Sequence, residues 1–262
     1  MIRTAYIISA KSDQQKRMVL QKRFHDVGLD VQFVDAVMGN ELSAAQKQDF
    51  LNSDRQNWLP TVMQDNALGC ALSHHKIWEQ IAHGDQDYGL ICEDDANPLP
   101  ATSPYIAAVL DQLTGQDKPI DILFLGNRRP DRKAIPVCLL ERVSANHDFR
   151  LAAIKYNSIG AECYLLSRHA ARALLKNNYR YIFEVDCMLH HWWLHSCHVL
   201  HLDPPLFAEE GRPSTIGYTH IKSWPRDRIH HKLKRKWRRI RTSYIKRIHY
   251  PRVLKRLRAY FG

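Results

Sequence analysis

Tyr88-Gly-Leu-Ile-Cys-Glu-Asp-Asp95 is the stretch that decides the fold: five small or apolar residues run straight into three consecutive acids. A short unbroken apolar run is the pattern of a strand buried on both faces, as in a parallel sheet covered by helices. Three acids at its carboxyl end need a reason. Each carboxylate repels its neighbours, and burial raises the cost of holding it ionised. A bound divalent cation removes that penalty, because Mn²⁺ or Mg²⁺ is a hard ion that prefers oxygen ligands. Ligand sites outside the carboxyl ends of strands are also the general rule for open α/β sheets. A solvated acidic turn is the alternative reading of the triplet taken alone.

Upstream, residues 3–9 read as another buried strand. Ser12-Asp13 offers a cap for a helix running to about Val27, and Gly28 tolerates the left-handed helix terminus that ends it. Val31 to Asp35 is a second strand, so the chain opens β-α-β and predicts a parallel sheet. A helix is expected from Ser43 to Leu51, interrupted by Trp58-Leu-Pro60, and another from Ala67 to Ala82, stopped by Gly84. Past the triplet, Asn97-Pro98 and Pro100 predict a loop, since proline cannot continue a ladder. A helix over 103–113, strands over 120–125 and 160–166, a hairpin within 135–155 and a helix from Ser167 to about Leu175 follow. Phe183 to His195 reads as helix, and His201 to Pro205 closes the globular part.

The charge is unevenly spread. Residues 222–262 hold sixteen Lys plus Arg against one acid, Asp227, a net +15 within a chain total of +11, which leaves −4 for residues 1–221. The reading is an acidic-to-neutral globular body over 1–221 and a basic helical tail over 222–262 with a separate role at an anionic surface. Leu233, Trp237, Ile240 and Tyr244 follow a 4-3-4 spacing, the mark of a helix lying in a membrane interface, and Pro251 is expected to break it in two. A solvated basic helix packed on the body is the alternative. A nucleic-acid-binding protein would carry basic residues through the folded body as well, so no nucleic-acid partner is expected. The six cysteines contain no Cys-x-x-Cys pair and read as reduced thiols in a cytosolic setting. The N-terminal apolar stretch is too short for a signal-peptide core, and nowhere do ~18 apolar residues run together.

A second motif is Leu68-Gly-Cys-Ala-Leu-Ser-His-His-Lys-Ile-Trp78. Gly69 permits close backbone approach, and Ser73, His74 and Lys76 within a helix's first turns would suit an anionic phosphate. An amphipathic helix with a polar face explains the same residues. Cys187, His191 and His195 stand four apart on one face of a continuous helix, yet no recognised zinc spacing is present.

The ordered set of segments resembles glycosyltransferase family 25, the lipooligosaccharide and collagen galactosyltransferase group. Tyr6-Ile-Ile-Ser9 and Val34-Asp-Ala36 resemble its first two strands, and Gly69-Cys-Ala-Leu-Ser-His74 its glycine-cysteine-x-leucine-serine-histidine signature. Leu90-Ile-Cys-Glu-Asp-Asp95 resembles its acidic motif, Asp121-Ile-Leu-Phe-Leu-Gly126 the next strand, and Gly160-Ala-Glu-Cys-Tyr-Leu-Leu-Ser167 the strand entering a late helix.

That resemblance implies a GT-A type fold, an α/β nucleotide-sugar-binding domain with a mostly parallel sheet flanked by helices. It implies transfer of a hexose, galactose from UDP-galactose, with inversion, to a lipooligosaccharide or lipopolysaccharide acceptor, with Mn²⁺ or Mg²⁺ as cofactor; a glucosyl- or other hexosyltransferase is the alternative. Asp95 is implied for direct metal contact, with Glu93 beside it; His201, which follows a strand near the sheet's end, is a further candidate ligand on its position alone. Donor-binding positions are implied at Ser9, Asp35, Gly69, Ser73, His74, Glu93, Asp94, Asn127, Arg212 and Ser214. Inverting transfer requires a base to take the acceptor hydroxyl proton. Asp186 is the leading match for it and Glu184 the reserve. The triplet is Glu-Asp-Asp rather than a strict Asp-x-Asp, which leaves the division of labour among the three acids open. A cytoplasmic enzyme, peripheral on the inner face of the membrane through its tail, is the expected setting for an oligosaccharide or lipid-linked acceptor.

Overall fold

The computed structural model describes residues 2–50, 63–126, 133–140, 143, 148–154, 160–177, 184–210 and 228–262. Along the last helix, side chains are described at 236, 237, 240, 243, 244 and 247–261. The stretch Trp58 to Pro60 and the expected site residues Asn127, Arg212 and Ser214 lie outside the described residues.

The opening unit forms as read. Strand β1 (Thr4–Ser9) leads into helix α1 (Gln14–His25), whose cap is Asp13, its carboxylate accepting the Lys16 N–H at 3.0 Å. Gly28, at φ +78°, makes the left-handed exit into β2 (Asp30–Asp35), which pairs parallel to β1. Helices α2 (Ala44–Phe50) and α3 (Asp65–His83) follow, then β3 (Tyr88–Glu93), parallel to β1 on its other side. The remaining elements are β4 (Ala96–Pro98), α4 (Ile106–Thr114), β5 (Ile122–Phe124), the antiparallel pair β6 (Ala134–Leu139) and β7 (Arg150–Ile154), and β8 (Cys163–Ser167). They end with α5 (Arg168–Asn177), α6 (Val185–His190), α7 (Trp192–His195), β9 (Val199–Asp203), β10 (Phe207–Glu209) and α8 (Arg228–Phe261).

Eight strands form one sheet in the order β2-β1-β3-β8-β5-β9-β7-β6. Most run one way, but β8 is antiparallel to both β3 and β5, and β7 to both β9 and β6, so the sheet is mixed. Side chains alternate between two cores. Ala5, Ile7, Leu90, Cys92, Leu123, Leu165 and Leu200 face one layer with Leu20 and Phe24 of α1, Val109 and Leu110 of α4, and Tyr250 and Leu257 of α8. Ile8, Ile91, Phe124, Tyr164 and Leu166 face the other, under Leu68, Ile77 and Trp78 of α3, Leu174 of α5 and Leu189 of α6. Central strands covered on both faces explain why their sequences are near-continuous apolar runs.

Four expectations are corrected. Ala96–Pro98 is a short strand rather than loop, antiparallel to β10, where proline is tolerated because a two-stranded ribbon leaves its nitrogen side free of a partner. The helix expected over 183–195 divides at His191, so Cys187, His191 and His195 do not share one helical face. Pro251 does not divide α8, which runs unbroken through it. The lost hydrogen bond and ring clash of a mid-helix proline cost ~3 kcal/mol, and the burial of Tyr250, Leu257 and, in part, Val253, Leu254 and Phe261 against the sheet offsets it. For the same reason residues 222–262 are not wholly a separate tail: their last three turns complete the core of the body.

Candidate active site

The carboxyl end of β3 meets three other elements. Ile8 of β1 pairs with Glu93, so Ser9 lies one step beyond it on the neighbouring strand. On the other side the Glu93 N–H donates to the Glu162 carbonyl at 2.9 Å, just before β8 begins. The ribbon of β4 and β10 sets Glu209 opposite Ala96, and the Glu210 N–H donates to the Asp95 carbonyl at 2.7 Å.

Glu93, Asp95, Glu162 and Glu209 are thereby crowded. Burial, then the charges of Glu93, Glu209 and Asp94, push the Asp95 carboxyl up to about 7. Burial is also the first cause at Glu162, followed by Glu93, Asp95 and Glu209, and its carboxyl reaches about 8. Oδ1 of Asp95 is buried without a hydrogen-bond partner. An orphaned carboxylate oxygen among other carboxylates suits a hard divalent cation, and Asp95 and Glu93 would be its ligands, although among the described residues no three side chains that include Asp95 bring their ligand atoms within 4.8 Å of one another.

Glu162 owes its place to two glycines. A Cβ on Gly126 would lie 2.2 Å from its Oε1, and one on Gly160, which sits at φ +116°, 2.3 Å from its Oε2. Only residues without side chains let the backbone close on that carboxyl from both sides. Sequence reasoning placed Glu162 in a strand and gave it no role. The one local hint was an acid at the head of an apolar strand, two residues after a glycine.

Asp186 joins the same group from α6. Its Oδ2 accepts the Gly160 N–H at 3.3 Å and its Oδ1 the Cys187 N–H at 2.6 Å. Burial raises its pKa first, and the charge of Glu93 adds to the effect. Cys70, also given no role from sequence, borders the group. Its thiol is pushed up by burial and then by Glu93, Asp186 and Asp95, and its Sγ lies 4.0 Å from Glu93 Oε1. Cys70, His74 and Glu93 present ligand atoms close enough to share one ion, as do Glu184, Asp186 and Cys187; Glu184 itself is exposed at the start of α6.

Behind Glu93 stands a fully buried chain of hydrogen bonds. Trp78 Nε1 donates to the Tyr164 hydroxyl at 2.9 Å, the hydroxyl lies 2.8 Å from His74 Nδ1, and His74 Nε2 lies 3.2 Å from Glu93 Oε1. The expected meeting of Gly69, Ser73 and His74 with phosphate at a helix N-terminus is corrected here. Helix α3 starts at Asp65, so these residues lie one to three turns inside it, and Ser73 and His74 have no exposed surface. Gly69 admits the backbone of Val37 and Gly39, and Ser73 Oγ accepts the Val37 N–H and donates to the Gly69 carbonyl, both at 2.8 Å. They tie the loop after β2 to the helix.

Other expected residues are placed apart. Asp94 pairs with Lys16 at 2.8 Å. Asp35 pairs with Arg17 at 2.6 Å, the first cause of its lowered pKa, with Lys11 and Lys76 adding to it. Ser9 is buried, its carbonyl accepting from Arg17 and its Oγ without a partner. These cations, at the ends of β1 and β2, suit an anionic diphosphate better than the acids beside them. His201 does not join the carboxylates. Its ring stacks on Phe124 at 4.8 Å, and its Nε2 lies 3.2 Å from His190 Nε2. His190 Nδ1 donates to the Asp186 carbonyl at 2.8 Å, so a neutral His190 accepts from His201. His195 is occupied by the backbone, accepting the Cys197 N–H at 3.2 Å and donating to the Leu189 carbonyl at 3.1 Å. None of the six cysteines forms a disulfide, although Cys92 and Cys163, paired across β3 and β8, approach to 3.3 Å between sulfurs.

Comparison with known proteins adds to this geometry. The family model described as "Glycosyltransferase family 25 (LPS biosynthesis protein)" matches residues 2–189. A "Glycosyltransferase 25 family member" from Aedes aegypti is 29% identical over 181 residues, covering 65% of this chain and 27% of that protein. "Procollagen galactosyltransferase 2" from Homo sapiens is 20% identical over 139 residues, covering 50% of this chain and 22% of its own length. A "Probable inactive glycosyltransferase 25 family member 3" from Bos taurus is 22% identical over 173 residues, covering 64% and 29%. The chain thus spans about a quarter of the length of these relatives. The solved inositol-1-phosphate CTP transferase from T. maritima aligns over 90% of this chain and 96% of its own at 14% identity, with a TM-score of 0.41, a likeness too distant to argue from.

Proposed function

The chain belongs to glycosyltransferase family 25, and from that premise we propose that it transfers a hexose, galactose from UDP-galactose, with inversion, to a saccharide acceptor of the lipooligosaccharide or lipopolysaccharide type, on a GT-A type fold. The observation that carries this reading is the meeting of Glu93, Asp95, Glu162 and Asp186 where β3 ends and β8 begins, with the carboxyls of Asp95, Glu162 and Asp186 pushed upward by burial and by neighbouring acids. Relatives named as galactosyltransferases support the choice of sugar. The family also includes a relative named as inactive, so the site chemistry rather than membership supports turnover.

Mn²⁺ or Mg²⁺, when bound, supplies positive charge against which a diphosphate can depart. Asp95 and Glu93 would hold it, and Glu162, clasped between Gly126 and Gly160, would lie beside them. Lys11, Arg17 and Lys76, gathered around Asp35, favour the donor's phosphates by charge. Asp186 takes the proton of the attacking acceptor hydroxyl. Its raised pKa brings it closer to working pH, where a general base is most effective. A screen of nucleotide sugars with Mn²⁺, reading UDP release, tests the proposal. Release from UDP-galactose that Asp95→Ala abolishes supports it; release unchanged in that variant, or none from any UDP-sugar, overturns it.

A further inference from the structure

Helix α8 presents two apolar faces that point different ways. In its last three turns Tyr250 and Leu257 are buried and Val253, Leu254 and Phe261 partly so, all against the sheet. The Arg258 guanidinium adds a hydrogen bond to the Pro136 carbonyl at 3.3 Å. Earlier in the same helix Trp237, Ile240, Tyr244 and Ile248 are 70%, 55%, 62% and 40% exposed. Their 3-4-4 spacing makes one stripe. At 3.6 residues per turn that stripe lies roughly 130° around the helix from the buried face. It therefore cannot zip onto the body by continuing the contact that Tyr250 and Leu257 begin.

The chemistry around the stripe is one-sided. Residues 228–261 carry fourteen Lys or Arg and no acid. Among the described side chains of the outer half, Lys236, Ser243, Arg247 and His249 are also exposed. Among the described residues no helix is long and apolar enough to cross a membrane. A cationic helix with an exposed Trp, Tyr and two Ile in register matches a lipid interface, where aromatic and aliphatic side chains sink to the acyl boundary and Lys and Arg meet anionic headgroups. Nucleic acid would use the charges but would gain nothing from Ile240 and Ile248.

We propose that the outer half of α8 docks on an anionic phospholipid surface through Trp237, Ile240, Tyr244 and Ile248, while its inner half holds the body to that surface. The inference stands independently of the sugar-transfer reading, and its test involves no turnover.

The full chain is sedimented with vesicles of phosphatidylcholine alone and of phosphatidylcholine with about a third phosphatidylglycerol, at moderate salt, beside the quadruple variant Trp237→Ser, Ile240→Ser, Tyr244→Ser, Ile248→Ser. These exposed positions leave the core untouched, and circular dichroism of the variant checks its helix. Binding of the wild type to anionic vesicles that falls at least about ten-fold in the variant supports the proposal. Equal binding of the two proteins overturns it by leaving charge as the sole attraction. So does absence of wild-type binding, self-association through the stripe in its place, or tighter binding to duplex DNA that the variant retains.

Discussion

His74 Nε2 lies 3.2 Å from Glu93 Oε1, and this contact fixes the proton on a ring with no exposed surface. A carboxylate only accepts, so Nε2 carries hydrogen, and Nδ1 of a neutral imidazole must accept from Tyr164. The Tyr164 oxygen is then left to accept from Trp78 Nε1, which only donates. With a neutral ring every group in the chain has one assignment, and its end point is the orientation of Glu93.

Tyr164→Phe should therefore break two hydrogen bonds and strand the Trp78 N–H. Urea unfolding is expected to show a loss of about 1–3 kcal/mol, accompanied by slower UDP release because Glu93 is no longer held. Trp78→Phe leaves the arm from Tyr164 to Glu93 in place. It should cost stability with a much smaller change in turnover, and an equal kinetic loss in both variants would contradict a positioning role.

The crowded acids predict opposite pH behaviour with and without cation. Glu162 and Asp95 titrate higher in the fold, at about 8 and about 7, than the ordinary values of 4.5 and 3.8. Between those limits these two groups hold more protons in the native state than in the unfolded chain, so their contribution to ion-free stability is greatest at low pH and declines as pH rises toward 8. Mn²⁺ favours the deprotonated forms and should raise the melting temperature more at pH 8 than at pH 5. Glu162→Gln should flatten the ion-free slope and shrink the Mn²⁺ effect; a melting curve that keeps both would remove Glu162 from the site.

Asp186→Asn keeps the shape of the side chain and removes its basicity. Turnover is expected to fall ~10²–10⁴-fold, with UDP affinity, measured by calorimetry, nearly unchanged. A parallel loss of affinity would make Asp186 a binding residue.

His195 gives a separate acid-side effect. Burial lowers its pKa from 6.5 to about 4, so between these values the unfolded chain binds the extra proton and stability falls as pH drops. The difference corresponds to roughly 3 kcal/mol, present in full above pH 6.5. His195→Gln should lose most of that slope, read from unfolding midpoints between pH 4 and 7.

The opening of the fold was legible residue by residue. Asp13, Gly28 and the apolar runs of β1, β2 and β3 act on neighbours a few positions away, and the structure keeps all of these elements. The acidic triplet was likewise legible as the end of a buried strand, and Asp186 does come to it. Glu162 was not, because it reaches Glu93 only after β8 inserts antiparallel between β3 and β5, a pairing across about seventy residues that no local pattern encodes. His74 was noticed for the wrong surface: its periodicity places it on a helix face, and only the partner face shows whether that is solvent, phosphate or Tyr164. Pro251 was misjudged because helix propensity is a local cost, while the burial of Tyr250 and Leu257 that overrides it is decided by packing.

By itself, then, the sequence determined what short-range forces determine: a β-α-β start, apolar strands covered on both faces, a run of acids and a cationic end. The tertiary structure alone decided which acids share a pocket, which histidines are buried behind them and which face of the last helix is left outward. Those outcomes depend on contacts between segments far apart in the chain, whose energies exist only once the sheet order is set.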